Sequence, residues 1–224
     1  MKKLTQIALS LVCCLVVAGC GVPLSKKNLL VIGDSNGAGK GWVYELQRLR
    51  GGGPLVNTSL SGNTVGFNYG GGELRTNTLE SLTNYLRKGY AEMGGIDEIL
   101  IGLGTNDCKV EFADERDRIL ANLDTLLNRT DRFFEERGQE MPRVVILSPP
   151  PLNDVGVMPL FSGATSCTKE VTEAFRALAT KRGHCFVDLQ ANPGPAVLDY
   201  SKDGIHFSQQ GYEALAKAVL KACY

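Results

Sequence analysis

The sequence predicts an α/β fold, one domain built as a three-layer α/β/α sandwich around a five-stranded parallel sheet. Two observations carry this expectation. Short apolar runs alternate along the chain with longer segments of helical period, the pattern that strands joined by crossover helices produce. The 224 residues, 43% apolar and 21% charged, suffice for one domain with a hydrophobic core of its own.

In chain order, a strand is expected over 28–33 and a helix over 39–49, then a strand over 54–59 and a helix over 78–93. A third strand over 97–103 leads to a helix over 113–136, the clearest of the set. There Ile119, Leu123, Leu126 and Leu127 recur at helical spacing, with Asp, Arg and Glu between them. A fourth strand over 143–147 precedes a helix over 167–182, and a fifth over 184–189 precedes a closing helix over 208–222. Ligands of such folds lie outside the carboxyl ends of the strands. The loops on that side are 34–38, 60–77, 105–112, 148–166 and 190–207.

Ahead of the domain, Lys2 and Lys3 precede an apolar run over 7–18 and the segment Val17-Ala18-Gly19-Cys20. A basic start, a short apolar stretch and small residues are the features of a secretory signal. The run falls short of the roughly 20 apolar residues that a spanning helix needs. Small residues before a cysteine resemble the bacterial lipobox, which implies lipid on Cys20 and an exported chain anchored to a bacterial membrane, on its periplasmic or cell-surface side. The expected organisation is a signal over 1–19, a lipidated tether over 20–27 and a domain over 28–224. Without the two leader lysines the chain holds 22 basic against 24 acidic residues, a balance with no footprint for nucleic acid.

Chemistry concentrates in four segments on the active edge. Gly33-Asp34-Ser35-Asn36-Gly37 follows the first strand, and a small-residue turn there can hold the Ser35 hydroxyl clear of the sheet. Asp203-Gly204-Ile205-His206 sets a carboxylate three residues ahead of an imidazole, so that Asp203 can orient His206 and leave its other nitrogen to take a proton from a hydroxyl. Ser61-Gly62-Asn63 follows the second strand and Gly104-Thr105-Asn106-Asp107 the third. The Gly62 N–H and the Asn106 amide are candidate donors to a developing oxyanion.

Rival chemistries fit less well. An α/β-hydrolase elbow places its serine on a middle strand, whereas Ser35 follows the first. A phosphate loop at Gly39-Lys40 needs glycine where Asp34 stands and Ser or Thr where Gly41 stands. Two histidines, His184 and His206, on opposite edges do not make a His-rich metal site, so neither a metal nor a cofactor is expected. A non-catalytic binding lipoprotein is hard to square with a full set of catalytic residue types.

With all four segments in view, the chain resembles the SGNH branch of the GDSL hydrolases, whose four blocks it matches in order from residue 28 to the last helix. That resemblance implies a flavodoxin-like SGNH hydrolase fold and a serine esterase. It implies Ser35 as nucleophile, His206 as base and Asp203 as its orienter, with an oxyanion hole from the Ser35 N–H, the Gly62 N–H and the Asn106 side chain. Asn36 departs from the Leu or Ile that many members carry there. The stretches Gly104 to Lys109, Val145 to Leu152 and Asp203 to Ser208 look most like the bacterial arylesterase and acyltransferase group, with carbohydrate deacetylases among its relatives. The implied substrate is a short-chain, chiefly acetyl, ester of a small molecule or glycan. The loop 149–161, rich in Pro, Leu, Val, Met and Phe, either walls an acyl or aryl pocket beside Trp42 or plugs the core beneath it.

Four cysteines remain in the domain, Cys108, Cys167, Cys185 and Cys223. Cys108 and Cys167 are expected at the active edge, and Cys185 and Cys223 at the opposite one. Crossed pairs would span roughly the 17 Å of a typical strand, while bridged Cα atoms sit within about 7 Å. Cys108–Cys167 and Cys185–Cys223 are therefore the expected bridges of an oxidised domain.

Overall fold

The computed structural model describes residues 22–68, 76–153 and 159–224. The signal segment and Cys20 lie outside these residues, as do Val155, Val157 and Met158 of the apolar loop. Strands β1 (Leu29–Gly33), β2 (Leu55–Asn57), β3 (Glu98–Gly102), β4 (Arg143–Leu147) and β5 (Cys185–Val187) form one sheet in the order β2-β1-β3-β4-β5, every pair parallel. Helices α1 (Trp42–Leu49), α2 (Thr78–Met93), α3 (Arg118–Glu135), α4 (Ala164–Arg182) and α5 (Gln209–Cys223) follow the strands in turn. Among the described residues no helix is long and apolar enough to cross a membrane.

Successive residues of a strand face opposite sides of the sheet, so a strand covered on both sides reads as unbroken apolar sequence. Leu29-Leu30-Val31-Ile32 is such a run. Leu30 and Ile32 join Ile99, Ile101, Val144 and Ile146 in a core beneath α2, α3 and α4, with Leu82, Leu86, Leu123 and Phe175 from those helices. Leu29 and Val31 join Leu100, Val145 and Val187 in a second core beneath α1 and α5, with Trp42, Leu46, Leu215 and Val219. The three layers follow directly from this alternation.

Two helices start later than their periodicity suggests. The third was expected from residue 113, but Val110–Glu115 is a separate 3-10 turn, held where Phe112 stacks on Phe67 with ring centroids 4.7 Å apart. The first begins at Trp42, because Gly39 takes a positive φ of 55° and the Trp42 N–H turns back to the Asn36 carbonyl at 2.9 Å.

The amino ends of the strands make a lower edge that is densely fastened. Glu98, fully buried at the head of β3, receives the Lys27 ammonium, the Arg143 guanidinium at 3.2 Å and the Tyr224 hydroxyl. A buried carboxylate is tolerable only with such company. Arg50 binds the carbonyls of Leu24 (2.9 Å), Lys27 (3.2 Å) and Pro54 (2.6 Å), and so pins the segment that enters β1. Cys185–Cys223 joins β5 to the end of α5 here, with Cα atoms 6.1 Å apart, and Cys108–Cys167 ties the loop after β3 to α4 at the other edge, with Cα atoms 5.7 Å apart.

The lower bridge closes a sequence separation of 38 residues. Its removal in Cys185→Ala/Cys223→Ala is expected to cost about 3–4 kcal/mol in urea denaturation by the loop-entropy relation, with ester hydrolysis unchanged. Removal of the Cys108–Cys167 bridge should lower both stability and turnover, since that bridge borders the Asn106 turn.

Candidate active site

The strand order decides which loops meet. β1 is flanked by β2 and β3, so the turn after β1 lies between the loops that carry Gly62 and Asn106. The chain leaves β1 toward β2 and then crosses back to β3, which makes this the switch point where crevices open in such sheets. His206 arrives from the far end of the sequence. It precedes α5, and α5 returns across the sheet to pack on α1 beside β1.

The Ser35 turn is closed by Gly37 and Ala38 N–H groups on the Asp34 carbonyl (3.1 and 3.2 Å) and by the Asn36 N–H on Asp34 Oδ1 (2.9 Å). Space on both sides of it is tight. A Cβ at Gly33 or Gly37 would fall 2.6 or 2.5 Å from Ser59 Oγ. Asn36 is buried, and its Oδ1 accepts from the Tyr212 hydroxyl at 3.3 Å, so this residue faces the interior beneath the turn and not a substrate surface.

Ser35 Oγ lies 2.9 Å from His206 Nε2, and His206 Nδ1 lies 2.7 Å from Asp203 Oδ2. With its proton on Nδ1 toward the carboxylate, the imidazole presents a lone pair at Nε2 to the serine hydroxyl. Asp203 Oδ1 accepts from the backbone N–H groups of His206 (2.7 Å) and Ile205 (2.9 Å). Although burial works against it, these bonds and the imidazole hold the Asp203 carboxyl down to about 2. Ile205 and Phe207 are both buried, one in each core, and nail the loop on either side of His206.

Gly62 has a φ of 81°, a backbone that a side chain would strain. Two asparagines stitch this loop to its neighbours. Asn63 Nδ2 donates to the Gly33 carbonyl at 3.0 Å, and Asn106 Nδ2 donates to the Asn63 carbonyl at 3.1 Å. Gly104, with φ 108°, lets the Asn106 turn pass Pro149, where a Cβ would come within 2.9 Å of the proline ring. The loop after β2 is fixed further by Asp107, both of whose oxygens accept from the Val65 N–H at 2.9 and 3.1 Å. Sequence reasoning singled out Gly62 and Asn106 but missed Asn63 and Asp107 as the residues that place them. Their only signal was adjacency to the two named positions.

The described part of the apolar loop divides between the two expectations, for Pro149 and Pro150 line a small cavity with Trp42 and Asp34. Residues 149–152 and Phe161 are buried, and Leu152 and Phe161 belong to the core under α3 and α4, whereas Trp42 belongs to the other core. A hollow of about 540 Å³ opens on the flank of His206, among Tyr200, Lys202, Asp203, Phe207, Ser208 and Gln210. Among the described residues no group of three or more His, Cys, Asp or Glu is disposed to hold a metal ion.

Burial pushes the Asp34 carboxyl up to about 6 and the Asp107 carboxyl up to about 7, the backbone N–H bonds to each opposing the shift. An acid whose folded value exceeds its unfolded one contributes stability that is fully present below the unfolded value. That contribution is lost as pH rises through the folded one. Asp107→Asn keeps an acceptor for Val65 and cannot ionise. Its stability relative to the parent is therefore expected to rise between pH 5 and pH 8, by an amount of order a few kcal/mol. Urea denaturation at the two values checks this, and a flat difference would mean that Asp107 is ionised throughout.

The chain matches the model of the GDSL-like lipase/acylhydrolase family over residues 16–214. A search of curated proteins gave no match. Among solved structures, a carbohydrate acetylesterase family member from Sinorhizobium meliloti is 20% identical with a TM-score of 0.71, covering 85% of this chain and 94% of that one. The inhibitor-bound aryl esterase of M. smegmatis is 24% identical with a TM-score of 0.70, covering 86% and 96%. A lipase/acylhydrolase from Enterococcus faecalis is 21% identical with a TM-score of 0.59, covering 86% and 93%. At such identities the structural likeness speaks for the fold, and the family match speaks for the chemistry. The chain belongs to the GDSL-like lipase/acylhydrolase family and is a carboxylic ester hydrolase.

Proposed function

We propose that this hydrolase is a serine esterase of short-chain, chiefly acetyl, esters, acting through an acyl-enzyme on Ser35. The observation that carries the reading is the continuous relay from Asp203 through His206 to Ser35, with contacts of 2.7 and 2.9 Å. His206 takes the hydroxyl proton as Ser35 Oγ attacks the ester carbonyl, and Asp203 stabilises the imidazolium that forms. The carbonyl oxygen, now carrying the negative charge, is met by the Ser35 N–H, the Gly62 N–H and the Asn106 amide. His206 returns its proton to the departing alcohol. Water activated by the same imidazole then releases the acid. No step calls on a metal or cofactor.

A narrower reading, a carbohydrate O-acetylesterase, is favoured by the hollow beside His206. The hollow adjoins the imidazole that protonates the departing alcohol, and Tyr200 with Lys202, Ser208 and Gln210 offers an aromatic face and hydrogen-bonding groups of the kind a sugar uses. Comparing acetylated glycans with aryl acetates, and acetyl with longer acyl chains, decides between the two. A non-catalytic role on the same scaffold leaves the complete relay without a use. We further propose that the chain is exported and anchored by lipid on Cys20, in keeping with Val17-Ala18-Gly19-Cys20.

Ser35→Ala should abolish hydrolysis of a short-chain aryl ester without loss of fold, and activity comparable to the parent would remove Ser35 from the mechanism. Asn106→Ala should lower kcat about 10²- to 10³-fold, the usual loss of one oxyanion donor, with little change in KM. In the native host Cys20→Ser should leave the membrane fraction, and retention there with an intact leader would refute the anchor.

A further inference from the structure

The anchor proposed above and the fold together fix an orientation, and the following rests on that anchor. The segment between Cys20 and β1 was expected to be a short polar tether, and its described part from Leu24 on is packed. Leu24–Lys26 is a 3-10 turn, and Leu24 lies against the core of α1 and α5. Arg50 holds the Leu24 and Lys27 carbonyls, and the Lys27 ammonium pairs with buried Glu98. Gly53 fits closely against the same turn, where a Cβ would come 2.0 Å from the Ser25 carbonyl oxygen. The Asn28 N–H donates to Asp97 at 2.6 Å, so the pinning continues to the head of β1.

Only three residues, Gly21, Val22 and Pro23, separate Cys20 from this packed turn. Four residue steps reach about 14 Å at most, at 3.3–3.6 Å each. From Asn28 to Ser35 the chain climbs about 20 Å through β1, at roughly 3.3 Å per residue, and ends at the opposite edge of the sheet. The free lead is too short to run up the side of the domain and bring Ser35 down to the bilayer.

The lower edge also exposes apolar side chains beside polar ones. Val22 (62% exposed), Met141 (40%) and Tyr224 (45%) are three of the exposed large apolar side chains, and all lie at that edge. Val22 and Met141 line one hollow with Ile96 and Pro142 and with the polar Lys27, Asp97, Gln139 and Glu140, beside the head of β3, while the Tyr224 hydroxyl reaches Glu98. We infer that this lower edge is the face an anchored chain lays against its bilayer, and that Ser35 faces away from it. The enzyme then works on esters carried by molecules outside that membrane, and the ester bonds of the anchoring lipids are out of its reach.

The native lipidated protein tests this directly. Cleavage of the leader removes Cys13 and Cys14, Cys20 is acylated and the other four cysteines are bridged, so an introduced thiol is the single labelling site. Met141→Cys and Gln209→Cys, each carrying an environment-sensitive fluorophore, are placed in phosphatidylethanolamine–phosphatidylglycerol vesicles containing a lipid with a nitroxide headgroup. Quenching of at least about twofold at position 141 and none at position 209 is expected. Inserting fifteen Gly/Ser residues between Pro23 and Leu24 should relieve it. Equal quenching at both positions, stronger quenching at 209, or none at either overturns the orientation. The anchored form should also match soluble Cys20→Ser within about twofold in kcat/KM on an aryl acetate while releasing no fatty acid from the vesicles. Release of vesicle fatty acid by the anchored form would equally overturn it. Mass spectrometry showing unmodified Cys20 would overturn orientation and anchor together and leave the esterase reading standing. Failure of Ser35→Ala to abolish hydrolysis would sink the esterase reading and leave the quenching result intact.

Discussion

Parallel pairing is the constraint on which the rest depends. Strands that all run one way must deliver all their carboxyl ends to one edge, so every loop that follows a strand meets the others there. With the order β2-β1-β3, the turn after β1 sits between the loops after β2 and β3, and no other order would put Gly62 and Asn106 on either side of Ser35 so directly. The one partner that adjacency does not supply is His206, 171 residues distant in sequence from the serine. It is supplied by α5, which packs on α1 and so presents its leading loop to the first turn.

Adjacency alone would leave these loops loose, and the structure removes that freedom with hydrogen bonds that run loop to loop. Asn63 reaches the end of β1, Asn106 reaches Asn63, and Asp107 reaches Val65. Groups that must stabilise charge in a transition state are effective when they are oriented beforehand. The cost is the burial of two carboxyl groups, Asp34 and Asp107, beneath the site, with values raised to about 6 and 7. Their backbone bonds show what that cost secures, namely the shape of the Ser35 turn and of the loop after β2.

The layered fold was legible because strands buried on both faces leave unbroken apolar runs, which need no partner to be recognised. The fourth strand and the second helix occur over the residues expected. Positions that depend on long-range contacts were not legible. The third helix starts late because Phe112 finds Phe67, some 45 residues earlier in sequence, and no local period records that pairing. At the site, residue types singled out Ser35, Asp203 and His206, which the structure brings together, whereas the positioning roles of Asn63 and Asp107 exist only once three loops have met. The apolar residues after β4 were ambiguous for a related reason. Sequence shows that they are apolar, and only the packing shows that Leu152 and Phe161 face the core.

The two edges of the sheet have divided their labour. Burial of the Asp34 and Asp107 carboxyls at the upper edge weakens the fold there as pH rises. The lower edge carries the compensating features: Glu98 with its cations and tyrosine, the Arg50 clamp on three carbonyls, and a disulfide that holds the chain's end. The segment entering β1 is held in this way at the edge opposite Ser35, so the fastenings that stabilise the domain are also those on which the proposed orientation rests. The stability of the lower edge and the placement of the segment entering β1 are thus consequences of the same few contacts around Glu98 and Arg50.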